Sequence, residues 1–530
     1  MGRHTLLALL LVLGCGGDEE PSKVVGGGSG VTPTVPSCAA AGGGTTVAAP
    51  ALLLGLKGDS DYGWLGSPVV ADLDGDGKQE TLAAHAKVMA WRADGSVAWQ
   101  FAPNGGRVWA GLVVGDFRDG PELEVVVASR GKVWMLDANG AVLSGWPVTW
   151  RDEIRSLAAG DVNGDGQLDV VVASTKPGPD ILNAYTAAGE HVAGFPPIAS
   201  NTVGCTAGTD CWMAGAFDQN LAVGDLDGTG GLDIVAPMDN AYAGFYQGTG
   251  EAFDANPMFN KRPKTLGVRY LHTLSQAQQG WANDEETELQ AHFTNTAPAI
   301  ADVDGDGRNE IVMLASVQNA SQADRLKGVA LWVVRNDASR VPGWETPFHA
   351  PDYTFGLWDF DEDNAVGATN QVTVADIDAS HAGPEFIFAG FDGRIHAVTA
   401  NRQELWATTY AEDARVLTGG VVVGDLSKDG IPEIVFATYS PDDNRSNLFV
   451  MDAGGHVLHR VALPQHGAAV PTLADVDGDG DVEIVLSMRK VYWDGSEPAV
   501  AIYEVPASGT NCLLWPTGRA NDLRNGWVRH

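Results

Sequence analysis

Basic residues are scarce in this chain: 33 Lys and Arg stand against 68 Asp and Glu over 530 residues, a formal charge of −35. Nucleic-acid binding relies on clustered cations, so a phosphate-backbone partner is excluded and no nucleic acid is expected. Cysteine is rare as well, with five in all and no C-x-x-C pair. Neither G-x-S-x-G, nor H-E-x-x-H, nor a phosphate-binding Gly-Lys-Ser/Thr loop occurs, which removes the common signatures of hydrolases, zinc proteases and nucleotide-binding proteins. A sustained helical period is missing too. What remains is short apolar runs of Val, Ile and Ala, with alternation where one face meets water, and that pattern is β.

The acidity is gathered rather than spread. Eight times one acidic loop sits between two apolar runs, starting at 72, 116, 161, 225, 302, 376, 425 and 475. The cleanest copies are DLDGDGKQE (72–80), DVNGDGQLD (161–169), DVDGDGRNE (302–310) and DVDGDGDVE (475–483). DLDGTGGLD (225–233) and DLSKDGIPE (425–433) are looser, and DFRDGPELE (116–124) and DIDASHAGPE (376–385) keep the position but lose most ligands. The gaps are 44, 45, 64, 77, 74, 49 and 50 residues. A floor of about 45 residues with four β-like runs per unit is the period of a propeller blade. The spacing predicts an all-β propeller of eight blades, with seven as the runner-up. The fourth strand of the last blade comes either from CLLWPTG or from the 47–55 segment TVAAPALLL. Aromatic residues recur at one place in the unit (Trp146, Phe195, Trp344) and are read as packing between neighbouring blades.

The beginning of the chain reads as export machinery. Arg3 and His4 precede the apolar run LLALLLVL, which ends in Gly14 and Cys15; the run is too short to span a bilayer and has the order of a secretory signal. VLGC resembles a bacterial lipobox, so residues 1–14 are expected to be a signal peptide and Cys15 the lipidated residue. Gly16 rather than Asp follows it, which by resemblance to the usual sorting rule favours the outer membrane. The expected location is therefore an exported outer-membrane lipoprotein, facing the periplasm or the cell surface and touching the membrane only through its lipid. Residues 15–46 are rich in Gly, Pro, Ser and Ala and predict a flexible tether; the propeller with its insertions occupies 47–530. In an oxidising compartment Cys205 and Cys211, six apart, suit a local clip, and Cys38 with Cys512 would close the two ends of the ring.

The loop opens like an EF-hand, but position 12 holds Ala83, Met313 or Leu486 instead of a bidentate Glu, and a strand follows instead of a helix. The repeats resemble the FG-GAP/VCBS repeats of integrin α-chain propellers and many bacterial surface proteins, over roughly residues 65 to 505. That resemblance implies a calcium site between the first two strands of a blade. Carried over by position, Asp72, Asp74, Asp76 and Glu80 would supply side chains and Lys78 a backbone carbonyl. The matching sets are Asp161, Asn163, Asp165 and Asp169; Asp302, Asp304, Asp306 and Glu310; and Asp475, Asp477, Asp479 and Glu483. Asp225, Asp227 and Asp233 form a weaker site because Thr229 replaces a carboxylate. Asp425, Ser427, Asp429 and Glu433 form a less charged one. The loops at 116 and 376 are expected to hold no ion. About four to six calcium ions, mainly structural, suit these hard oxygen ligands.

Insertions at 199–220, 253–294, 317–327, 348–370 and 439–446 are all expected on the face away from the acidic loops, where they would build a binding surface. The longest carries Lys261, Arg262, Lys264, Arg269, Tyr270 and His272, followed by Trp281; a later one adds Trp358. Arg262, Lys264, Arg269, Tyr270, Trp281 and Trp358 are the candidate ligand face, suited to an acidic sugar or a protein loop. The insertion reads as an addition that the propeller does not need for folding. Together these features predict a binding or adhesion module for a protein or carbohydrate ligand. The alternative is a calcium-dependent polysaccharide lyase or hydrolase, with Arg269, Tyr270 and His272 as the trio for a lyase.

Overall fold

In the computed structural model, residues 35–58, 66–151, 153–175, 182–197, 221–238, 241–259, 263–278, 289–293, 296–318, 327–352, 370–411, 416, 418–438, 446–464, 467, 469–488 and 498–529 are described. Eight antiparallel sheets form the blades of a propeller in chain order. Blade 1 shows the plan, with strands Val69–Ala71, Glu80–Ala84, Val88–Arg92 and Val97–Phe101 hydrogen-bonded in sequence from the centre outward. In blades 3 and 4 the fourth strand shrinks to the bridges Tyr185↔His191 and Tyr246↔Ala252. The second strand of each blade is covered on both sides by neighbouring blades, which is why runs such as EVVVAS and DVVVAS are apolar without alternation and buried throughout. The outermost strands alternate instead, as Val457–Ala462 does.

Ring closure comes from the early chain. Ala51–Leu56 pairs antiparallel with Val500–Val505 and becomes the outer strand of blade 8, so the 47–55 segment supplies that strand and CLLWPTG does not. Cys38 and Cys512 are joined, with Cα atoms 5.6 Å apart. The recurrent aromatics do pack between blades, and four tryptophans add a directional clasp. Trp99, Trp146, Trp344 and Trp406 each donate from the indole N–H to a turn carbonyl of the next blade, at Ala138, Ala187, Ala400 and Ala453.

Residues 512–528 run through the central channel and engage every blade. The inner strands are short and turn an unpaired edge to the axis, where buried N–H groups require partners. The N–H groups of Val423, Leu473, Val114, Ala159, Val223 and Ile300 donate to the carbonyls of Trp515, Pro516, Asp522, Leu523, Asn525 and Gly526. Blade 6 is reached through the Arg519 N–H to Gln371 Oε1 at 2.9 Å. Blade 1 is reached by Arg524, which donates to Ser67 O and Pro68 O and also to Leu112 O, Gly518 O and Thr517 Oγ1. Burial pulls the Arg524 guanidinium down to about 10 and Arg519 to about 9.

The insertion at 253–294 departs from the expected placement. Asn256 is bound to Asp337 through both its backbone and its side chain, and Asp337 lies in the turn between the third and fourth strands of blade 5, on the acidic-loop side. The chain then returns along blade 4 through the Tyr242↔Arg269 bridge and reaches the opposite side, where the His272 ring lies against His349. The insertion thus spans the height of the ring. The cause is its aromatic content: Phe253, Phe259, Tyr270 and Phe293 are buried in one cluster with Trp332 between blades 4 and 5. These residues belong to the core between the two blades. Residues 199–220, 319–326, 353–369 and 439–445 lie outside the described residues.

Arg524→Ala should cost about 3 kcal/mol or more in chemical denaturation, because it strands several buried carbonyls at once. Arg524→Lys should recover only part of this, since one ammonium cannot replace a planar fork. A loss under about 1 kcal/mol would show that the tail is not needed to hold the blades together.

Candidate metal centres

All eight acidic loops join the first strand of a blade to its second and so lie on one face of the ring. One hydrogen bond is common to every loop. The carboxylate that opens the second strand accepts the N–H of the loop's second residue: Glu80 from Leu73, Glu124 from Phe117, Asp169 from Val162 and Asp233 from Leu226. The same bond links Glu310 to Val303, Glu385 to Ile377, Glu433 to Leu426 and Glu483 to Val476. The donor residue is apolar and buried each time, so the bond pins an apolar side chain under the loop. The two degenerate loops keep it, which explains how they retain blades.

The first aspartate organises the turn. In loop 1 Asp72 Oδ2 accepts from Gly77 N–H at 2.8 Å and Oδ1 from Asp76 N–H at 3.1 Å; loops 3, 5 and 8 repeat the bond to the sixth residue. Gly77 has φ +84°, a conformation that a side chain disfavours. Lys78 N–H donates to Asp76 Oδ1, which orients the peptide of the seventh residue.

Carboxylates converge in four of these loops. Asp72, Asp74 and Glu80; Asp225, Asp227 and Asp233; Asp302, Asp304 and Asp306; and Asp475, Asp477 and Glu483 each place oxygens within 4.8 Å of one another. Burial, reinforced in most loops by neighbouring carboxylates, lifts every pinning carboxyl. Asp169, Asp233, Glu433 and Glu483 rise to about 7 and Glu310 and Glu385 to about 8, while Glu80 and Glu124 also move upward. Glu483 Oε1 is buried without a hydrogen-bond partner beside Asp475 and Asp477. A hard divalent cation fits this donor set, since it would neutralise the repulsion and give that oxygen a ligand.

The remaining loops use their side chains differently. In loop 3, Asn163 Nδ2 donates to Asp169 Oδ1 at 3.2 Å, and Asp161 and Asp165 keep the turn bonds. In loop 7, Asp425 and Ser427 are buried; Ser427 Oγ donates to Asp425 Oδ1 and Asn511 Nδ2 to Asp425 Oδ2. Both chain ends cover this loop, because Ala41 and Gly43 donate to Lys428 O and Asp425 donates to Cys512 O. Asp429 Oδ1 accepts from Ile431 N–H. In loop 2, Arg118 replaces a ligand and reaches the carbonyls of Ser144 and Ala187, tying blade 2 to blade 3. A further group, Asp479, Asp481 and Glu504, converges beside loop 8; the loops' own pattern does not signal it, because Glu504 lies on the third strand.

Of the candidate ligand-face residues, the three that are described are engaged within the fold. Lys264 is paired with Glu251 and Asp254. Arg269 is buried and donates to Gln290 Oε1 at 2.7 Å. Tyr270 has no exposure, and burial drives its phenol far above the usual range. Cys15, Cys205, Cys211, Arg262, Trp281 and Trp358 lie outside the described residues.

Glu385 separates the pinning role from the ligand role, because its loop lacks a carboxylate cluster among the described residues. Glu385→Ala should cost about 1–3 kcal/mol with or without divalent cations. Burial lifts its carboxyl to about 8, above the ordinary 4.5, so between those values the folded state binds more protons and stability falls as pH rises. Glu385→Gln keeps an acceptor and should flatten that fall in denaturation measured from pH 5 to 9; an unchanged slope would contradict the assignment.

Comparison with known proteins agrees with this architecture. Residues 154–182, the first two strands of blade 3 with their loop, match the FG-GAP repeat model. No curated protein matches the chain. Among solved structures it is similar to the V. cholerae biofilm matrix protein Bap1, at 14% identity and a TM-score of 0.41 over 91% of this chain and 96% of that one. It is also similar to the quinohemoprotein alcohol dehydrogenase of Comamonas testosteroni, at 12% identity and a TM-score of 0.45 over 86% and 76%. BamB from Moraxella catarrhalis follows at 11% and 0.33, over 87% and 99%. At these identities and scores nothing of their activities is carried over. The chain is an eight-bladed β-propeller whose residues 154–182 match an FG-GAP repeat.

Proposed function

We propose that this protein is a calcium-braced binding module, exported and held by a lipid on Cys15 at the outer membrane. The observation that supports it best is the division of labour in the ring. One face carries the carboxylate clusters, and the axis is filled by residues 512–528, leaving faces and rim to meet a ligand. Calcium would be held by the first, third, fifth and ninth side chains of the well-formed loops, about four to six ions in all, supplying charge neutralisation and turn rigidity. The ligand is a protein or carbohydrate, with Arg262, Trp281 and Trp358 as its contacts. A catalytic reading has no support from Tyr270, whose hydroxyl is buried without a partner.

Calcium should act on stability first. Excess chelator should lower the melting temperature by several degrees, and Asp477→Ala should reproduce part of the shift. An unchanged melting curve in chelator would end the calcium reading.

Binding is tested on a panel of acidic and neutral polysaccharides with purified protein and with expressing cells. Arg262→Glu combined with Trp281→Ala and Trp358→Ala should abolish binding at an unchanged melting temperature. Cys15→Ser should release the protein from the membrane fraction while the purified protein still binds. Binding that survives the triple substitution would move the ligand site elsewhere, and membrane retention of Cys15→Ser would remove the lipid anchor.

A further inference from the structure

Loop 5 has the most complete donor set that the sequence can write, yet its geometry differs from that of its peers. In loops 1, 4 and 8 the ninth carboxylate converges with the first and third. In loop 5 the cluster is Asp302, Asp304 and Asp306, and Glu310 stands apart from it. Arg335 stands beside these groups. Its Nη2 lies 2.8 Å from Asp304 Oδ2 and 3.5 Å from Asp306 Oδ2, and its Nε lies 3.6 Å from Glu310 Oε1. One guanidinium therefore faces three of the four carboxylates that the loop would offer to an ion.

The position of Arg335 is fixed by the fold. It follows the third strand, Val329–Val334, and its N–H donates to Ser339 O to open the turn to the fourth strand. The same bond marks the equivalent residue in other blades as Arg92, Asp137, Thr186, Gln247, Thr399 and Asp452. Arg92 alone among these is basic, and it is exposed and turned to Val97 O at 3.3 Å. The anchoring turn is itself braced, because Asp337 accepts from Ser339 N–H and from Asn256 Nδ2. The side chain is only about one-third exposed, and a pair held on both sides in this way is not the loose surface contact that contributes little.

We infer that the Arg335 guanidinium is the resident cation of loop 5, so that this loop does without the divalent ion its sequence prescribes. The inference rests on the calcium reading for the other loops. It reverses the order of sites by sequence: the full set at 302–310 becomes the weakest of the four cleanest copies. It also makes blade 5 insensitive to chelation, in the same region where the insertion packs against blade 4.

The test counts calcium ions by calorimetry and by elemental analysis of dialysed protein, in the wild type, Arg335→Gln and the control Arg92→Gln. Arg335→Gln should bind one more ion than the wild type, with loop 5 affinity raised at least about tenfold by the lost charge. Arg92→Gln should leave the count unchanged. A second measurement does not depend on the folding of Arg335→Gln. In the wild-type background Asp304→Asn should leave the ion count unchanged, whereas Asp477→Asn should lower it by one. Loss of an ion with Asp304→Asn, or an unchanged count in Arg335→Gln while the wild type binds calcium, would overturn the inference alone. Absence of calcium binding in every protein would overturn the calcium reading, and this inference with it.

Discussion

The structure depends on one hydrogen bond repeated eight times, from the second residue of each acidic loop to the carboxylate that begins the next strand. The bond holds a glycine-rich turn in register with the strand it enters and seats an apolar side chain beneath it. Because it requires only a carboxylate oxygen and a backbone N–H, it survives in loops 2 and 6, where the spacing of the other ligand positions is broken. Ion binding would be an addition to this plan. The carboxylate is already buried and fixed, and a cation would find part of its ligand set assembled before it arrived.

Blade number and loop position were legible in the sequence because the spacing of loops is a direct copy of the spacing of blades. The outer strand of blade 8 was narrowed to two segments, and pairing with Val500–Val505 decided between them. The channel filling was not legible. Residues 512–528 have no period and little alternation, and their partners are single N–H groups on six strands, with a side chain and two carbonyls for the other two blades, a pattern no local window contains. Arg519 and Arg524 look like ordinary solvated cations in sequence; only their depth shows otherwise.

The site was legible in its acidic residues and illegible in its counter-charges. Asp302, Asp304, Asp306 and Glu310 read as a complete set, while Arg335, which faces three of them, is 25 residues beyond Glu310 and belongs to a different turn. Arg118 in loop 2 and Asn511 over loop 7 are likewise contributions from side chains that only the closed ring brings together. The longest insertion misled for a related reason. Its basic residues suggested a surface, but its aromatic residues, at irregular spacing, decide that much of it is core.

The path of residues 512–528 also sets an order of events. Arg524 bonds to Ser67, 457 residues earlier, and Asn525 to Ala159, 366 residues earlier. Individual blades can gather from neighbouring strands as the chain emerges, but their inner edges stay unpaired until this segment arrives. Contacts of such long range are slow to form, and open edges invite pairing with other chains in the meantime. A propeller of this design is therefore most vulnerable to aggregation just before its final segment is delivered.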